Sequence, residues 1–140
     1  MHWGLVTCSA DASLRAVAAL MSDSRVHCVV VIDEASEDRT LWGVVSDLDL
    51  VAAATVRSLD EQKAAGTAMR PAVTITPGAP LEEAARRMTN HGVSHLVVVD
   101  PAVQYPLGVL STLDFAAVFA SDWSPPAHRD PYFPAPGSRL

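Results

Sequence analysis

Residues 5–33, LVTCSADASLRAVAALMSDSRVHCVVVID, and residues 72–100, AVTITPGAPLEEAARRMTNHGVSHLVVVD, match at ten of 29 positions without a gap. The offset of 67 residues, which sets Val6-Thr7 against Val73-Thr74, shortens to 65 farther on. There residues 43–52 (GVVSDLDLVA) match residues 108–117 (GVLSTLDFAA) at six of ten positions, so the intervening loop is two residues longer in the first copy. A solenoid needs about three repeats or more. Two copies of one unit instead point to a pair related by a pseudo-twofold axis.

Each copy reads as β-α-β-β-α. A short extended piece, Val6-Thr7-Cys8 or Val73-Thr74-Ile75, runs into turn residues (Ser9-Ala10-Asp11; Thr76-Pro77-Gly78-Ala79-Pro80). A helix follows in both copies. Leu14, Val17, Ala18 and Met21, matched by Leu81, Ala84, Ala85 and Met88, fall at i, i+3, i+4, i+7 and form one apolar stripe. Gly92 after Asn90-His91 suits the residue that closes the second helix. Residues 28–32 and 96–99 are apolar and do not alternate with polar residues, as in a strand covered on both faces. Second strands fall at residues 41–45 and 107–110, and the last helices begin near Ser46 and Ser111. Residues 57–68, polar and Ala-rich, read as a linker. The divisions are therefore a first repeat over 1–60, linker and second repeat over 61–120, and a tail over 121–140. That tail holds five of the ten prolines and no apolar period, so it is expected to be extended, without a fold of its own.

Composition narrows the function classes. The 140 residues carry 10 Lys+Arg against 16 Asp+Glu, for a formal charge of -6, which counts against nucleic acid as a partner because duplex binding needs clustered cations. Apolar residues make up 49% of the chain, enough for a core, yet no apolar run is long enough to span a membrane. Cys8 and Cys28 do not make a secreted disulfide scaffold, and the start lacks a signal-peptide pattern, so a cytoplasmic location is expected. His91 and His95 are four apart, but Gly92 and the change from helix to strand spoil a helical metal pair. No Gly-x-Ser-x-Gly elbow, phosphate-binding glycine loop or dinucleotide fingerprint occurs.

The ordered elements Thr-x-x-x-x-x-Leu before a helix, Val-Val-Val-Asp closing a strand (Val-Val-Ile-Asp in the first copy) and Gly-h-h-Ser-x-x-Asp opening the last helix carry a family pattern. Together with Ala-Met-Arg-Pro-Ala-Val-Thr-Ile at residues 68–75, they resemble a tandem pair of CBS (cystathionine β-synthase-type) domains, a Bateman module. The resemblance covers about residues 5–120. It implies a mixed α/β (α+β) fold of two β-α-β-β-α repeats packed through their sheets, with two clefts between them. It also implies a regulatory module that binds an adenosine-containing ligand (AMP, ADP, ATP or similar) and signals through a homodimer, with an effector protein as a further partner. No cofactor is required and no catalytic residue or metal site is expected, so the chain reads as a non-enzyme. The alternative is a ligand-free dimerisation or scaffold module with degenerate clefts.

By the same resemblance the Asp of Gly-h-h-Ser-x-x-Asp takes the ribose hydroxyls and the Ser supports ribose or phosphate, which nominates Ser46 with Asp49 and Ser111 with Asp114. A carboxylate accepts from two vicinal hydroxyls, and a nearby helix N-terminus favours phosphate. Ser followed three residues later by Asp is equally a helix capping box, and one copy alone does not separate the two roles. Residues before the central strands fall near the phosphates: His27, and in the second copy Ser94-His95. His27 aligns with Ser94, and strand neighbours point to opposite faces, so one histidine of the two suffices for its cleft. Adenine would be lined by residues around Thr7 and Thr74, by Thr67 in the linker, and by Val44 and Val109, for which core packing is the competing role.

Overall fold

The computed structural model describes residues 5–121, which form a mixed α+β fold. The Pro-rich tail from residue 122 onward lies outside the described residues. The first repeat runs β1 (Thr7–Ser9), α1 (Leu14–Ser24), β2 (Cys28–Asp33), β3 (Thr40–Ser46) and α2 (Asp47–Ala54). After a 3-10 turn (Leu59–Glu61) and one helical turn, α3 (Ala64–Thr67), the second repeat follows. It runs β4 (Thr74–Ile75), α4 (Leu81–His91), β5 (His95–Val99), β6 (Pro106–Ser111) and α5 (Thr112–Phe119).

Each repeat makes one three-stranded sheet, ordered β1-β2-β3 and β4-β5-β6, in which the first pair is parallel and the second antiparallel. The antiparallel registers slip at matching places, between Val31 and Ile32 and between Val98 and Val99. There Trp42 and Leu107 are the extra residues, a bulge that bends the strand without disturbing its core face.

The unalternating strands serve two cores at once. Val29, Val31 and Val45 face Leu14, Val17 and Met21 of α1, while Leu96, Val98 and Leu110 face Ala84 and Met88 of α4. The intervening residues Cys28, Val30, Ile32 and Val44 meet Val97 and Val99 of the other sheet. A strand buried on both faces has no polar positions to spare, because each buried valine adds about 1.5–3 kcal/mol of transfer free energy. The sheet-to-sheet contact holds the two repeats together and places the starts of β2 and β5 near one another.

Helix ends follow local chemistry. The Ser13 hydroxyl accepts the Ala16 N–H at 3.1 Å at the start of α1. Gly92 (φ 62°) closes α4 in the left-handed conformation, and Arg25 (φ 54°) does the same for α1 despite carrying a side chain.

Residues 57–68, read as a linker, are built into the first repeat. Ala64 is fully buried with Leu14 and Val17, and the Leu14 N–H donates to the Gln62 carbonyl at 2.9 Å. The buried Gln62 side chain donates to the carbonyls of Ala53 (2.9 Å) and Arg57 (3.0 Å), closing the end of α2. Met69 then pairs with Val44 across the edge of β3, its N–H donating to the Val44 carbonyl at 2.9 Å.

Candidate functional site

Both copies of Gly-h-h-Ser-x-x-Asp end a strand at Ser and open a helix. In the first, the Ser46 N–H donates to Asp49 Oδ2 at 2.8 Å and the Asp49 N–H to Ser46 Oγ at 3.2 Å. In the second, the Ser111 N–H donates to Asp114 Oδ2 at 2.8 Å, and the Ser111 hydroxyl reaches the same oxygen at 3.2 Å. Both serines and aspartates are thus fixed by capping boxes, which satisfies helix-end donors and holds each carboxylate in place.

One cavity, of about 580 Å³, draws on both repeats. The second repeat contributes Val109, Ser111 and Asp114 from β6 and α5, and Ser94 and His95 from the start of β5. The first contributes Val6, Arg25, Val26, His27 and Asp47. Six of the residues nominated from sequence therefore meet here: His27, Ser94, His95, Val109, Ser111 and Asp114. The remaining six lie elsewhere. Thr74 lines two other cavities, one of about 490 Å³ beside Trp42 and Arg70 and one of about 410 Å³ beside Met69 and Val93. Val44 is buried between the sheets. Ser46 and Asp49 form the other capping box, while Thr7 opens β1 and Thr67 ends α3.

Two charged contributors were not singled out in the sequence. Asp47, the first residue of α2, sets its Oδ2 2.9 Å from His27 Nδ1, while its own N–H donates to the His27 carbonyl at 2.9 Å. The matching pair in the second repeat is neutral, with the Thr112 N–H donating to the Ser94 carbonyl at 3.0 Å. Arg25 is the second, and its place at the end of an apolar helical stripe gave no sign of a cleft.

The electrostatics are those of an open site in which Arg25, His27 and Asp47 are exposed while His95, Ser111 and Asp114 are partly covered. The hydrogen bond to His27 holds the Asp47 carboxyl below the usual range, aided by the Leu48 N–H. Burial pushes the His95 imidazole down and His27 adds to this, against the opposing pull of Asp47 and Asp114. Burial tends to raise Asp114, but hydrogen bonds such as that from the Ser111 backbone leave it lowered. Cys28, at the cavity wall, is pushed up to about 12 by burial and by Asp47, and so stays a thiol. Among the described residues no group of three or more His, Cys, Asp or Glu side chains is placed to hold a metal ion.

The CBS domain family matches residues 1–55 and again residues 65–121. The fold is similar to the CBS domain pair of protein MJ0100 in complex with 5′-methylthioadenosine and S-adenosyl-L-methionine, at 18% identity and a TM-score of 0.73, covering 83% of this chain and 88% of that one. It is also similar to the CBS domain protein PAE2072 from Pyrobaculum aerophilum complexed with AMP, at 26% identity and a TM-score of 0.69, covering 84% and 92% of the two chains. The hexameric CBS-CP12 protein from bloom-forming cyanobacteria is a third, at 22% identity and a TM-score of 0.74, covering 87% and 68%. No curated protein matches this sequence. Two family matches in tandem, on two matching β-α-β-β-α units joined through their sheets, establish that the chain belongs to the CBS domain family as a Bateman-type pair.

Proposed function

We propose that this chain is a regulatory module that binds an adenosine-containing ligand between its repeats and passes occupancy on through a homodimer. The observation that carries this reading is the convergence of the Ser111–Asp114 capping box, His27, His95 and Val109 on one cavity. Valines offer the apolar surface adenine needs, and a fixed carboxylate accepts from the vicinal hydroxyls of ribose with the strength of a charged acceptor. Complexes of similar CBS pairs with AMP, and with 5′-methylthioadenosine and S-adenosylmethionine, support the ligand class.

The dimer is supported by the outer faces of α2 and α5. Leu48 and Leu113, at matching positions, are each 73% exposed, and Val51 is 64% exposed. Helices apolar on their outward sides need cover, and a second copy meeting them around a twofold axis covers both at once. The same leucines favour a second reading, a constitutive dimerisation module that needs no ligand. No helix among the described residues is long and apolar enough to cross a membrane.

A thermal-shift series with AMP, ADP, ATP and S-adenosylmethionine separates the two readings. A ligand that binds the folded state stabilises it by about 2.7 kcal/mol at a hundred times its Kd. The sensing module predicts a rise in Tm with at least one ligand, lost in Asp114→Ala. No shift at millimolar ligand leaves the scaffold reading standing, whereas a shift that survives Asp114→Ala overturns the ribose role of Asp114.

A further inference from the structure

The charge of the cavity wall, rather than its shape, separates the ligands it would hold. This inference rests on the adenosine reading above and specifies it. The lining residues carry two carboxylates, Asp47 and Asp114, against one guanidinium, Arg25, and two histidines. Asp114 is held by the capping box at the mouth of α5, where the ribose would sit. Adenine on the apolar part of the wall, formed by Val6, Val26 and Val109, with ribose at Asp114, would send the 5′ substituent toward the polar part.

That polar part is His27 with Asp47, and Ser94 with His95 and Thr112. His27 Nδ1 is 2.9 Å from Asp47 Oδ2, so its proton is shared with a carboxylate rather than offered to a ligand. His95 Nδ1 lies 3.0 Å from the Ser94 hydroxyl. Arg25, which closes α1 next to Val26, is the one guanidinium on the wall, set against its two carboxylates. A space of about 580 Å³ is about 10 Å across, comparable to the Debye length of ~8 Å at physiological salt, so charges on its wall reach a ligand only partly screened, even though the His27 and Asp47 side chains are 73% and 58% exposed. The matching position on the other repeat is Thr112, so the acidic group is specific to one side of the axis.

We infer that Asp47 makes this cleft select adenosine ligands whose 5′ substituent is uncharged or cationic over those that carry phosphate. Asp47 acts here as a specificity residue, placing a fixed negative charge where a nucleotide would bring its own.

The test is calorimetric titration of the full chain at pH 7.5 and low salt with three probes that differ only at the 5′ position: 5′-amino-5′-deoxyadenosine, adenosine and AMP. Affinity is expected to fall in that order. Asp47→Asn should raise the AMP-to-adenosine affinity ratio by about tenfold, the size of one unit-charge contact near a protein surface in part screened by water. Asp47→Lys should raise it further, and 0.5 M salt should shrink the difference in the unaltered chain. AMP binding as tightly as adenosine, or a ratio unmoved by both substitutions, overturns the selectivity while leaving the adenosine reading in place. Binding of none of the three probes overturns both.

Discussion

Where the first helix of each repeat ends, the chain turns left-handed at Arg25 in one half and at Gly92 in the other. Where the central hairpin begins, one half has His27-Cys28 and the other Ser94-His95; where the last helix opens, one has Asp47 and the other Thr112. The backbones at these points superpose in kind, with matching strand registers, bulges and capping boxes. The differences are confined to side chains, and they gather on the cavity between the halves. A duplicated unit thus keeps its fold through strands covered on both faces, and is free to vary the positions that meet at the cavity. The result is a cavity with unlike chemistry on its two walls, on a scaffold of like geometry.

The largest test of that comparison lies in the cores. Leu14 and Leu81 hold the same place in their helices, but Leu14 is completely buried under residues 62–64 whereas Leu81 is only partly covered. Leu14→Ala is expected to cost about 2–5 kcal/mol, the range for a buried leucine that leaves a cavity. Leu81→Ala should cost less than half as much. Urea unfolding at one protein concentration measures both, and equal losses would mean that the segment over α1 adds no burial.

A smaller effect probes the same segment from the sheet side. A Cβ at Gly43 would stand 2.5 Å from the Met69 carbonyl oxygen and 3.0 Å from Arg70 Cγ, so Gly43→Ala must displace backbone. Overpacking of this kind costs about 1–3 kcal/mol. Gly66 in α3 has nothing within 4 Å of the same added atom, and Gly66→Ala should be neutral or gain up to ~1 kcal/mol from helix propensity. If Gly43→Ala is as mild as Gly66→Ala, the close approach of residues 68–70 to β3 is not a constraint on the fold.

Much of this was legible beforehand, and the reason is periodicity. The stripe Leu14, Val17, Met21 and the runs Cys28–Ile32 and Leu96–Val99 are patterns that burial itself imposes, so they announced helices and doubly covered strands. The capping boxes announced themselves through spacing alone. Residues 57–68 did not, because Gln62 is buried by satisfying carbonyls and Ala64 by being small, and neither leaves an apolar period. The pairing of His27 with Asp47 joins residues 20 apart through the end of a hairpin, a contact that no local pattern encodes. Nor did the repeat say which copy's Ser-x-x-Asp would share a cavity with His27, since both copies spell it alike.

The capping boxes offer the next comparison. Asp49→Ala and Asp114→Ala each remove the carboxylate that receives the preceding serine N–H, and each is expected to cost about 1 kcal/mol, as for other lost helix caps. Their costs without ligand should be alike. With a bound adenosine ligand they should part, because only Asp114 lines the 580 Å³ cavity. Loss of the ligand-induced rise in Tm in Asp114→Ala but not in Asp49→Ala supports the asymmetry; loss in both, or in Asp49→Ala alone, breaks it.

The mildest difference at neutral pH becomes visible away from it, at the matching positions Cys28 and His95. Burial disfavours the charged form at both, but the two residues charge in opposite directions. The Cys28 thiol is pushed from 9.0 up to about 12, so above pH 9 the unfolded chain ionises first. Its contribution to stability is complete below pH 9 and is lost as pH rises toward 12, by up to about 1.4 kcal/mol per pH unit. Cys8, pushed up to about 11, adds to the same limb. The His95 imidazole is lowered below 6.5, so the unfolded chain takes up its proton first as pH falls. That contribution is complete above pH 6.5 and declines as pH falls below it. Urea midpoints between pH 5 and pH 10.5 should therefore show two sloping limbs with separate owners. Cys28→Ala should shrink the alkaline limb to the share that Cys8 supplies and leave the acid one, and His95→Gln should flatten the acid limb and leave the alkaline one. An alkaline limb unchanged in Cys28→Ala would show that its sulfur is reached by water in the folded chain.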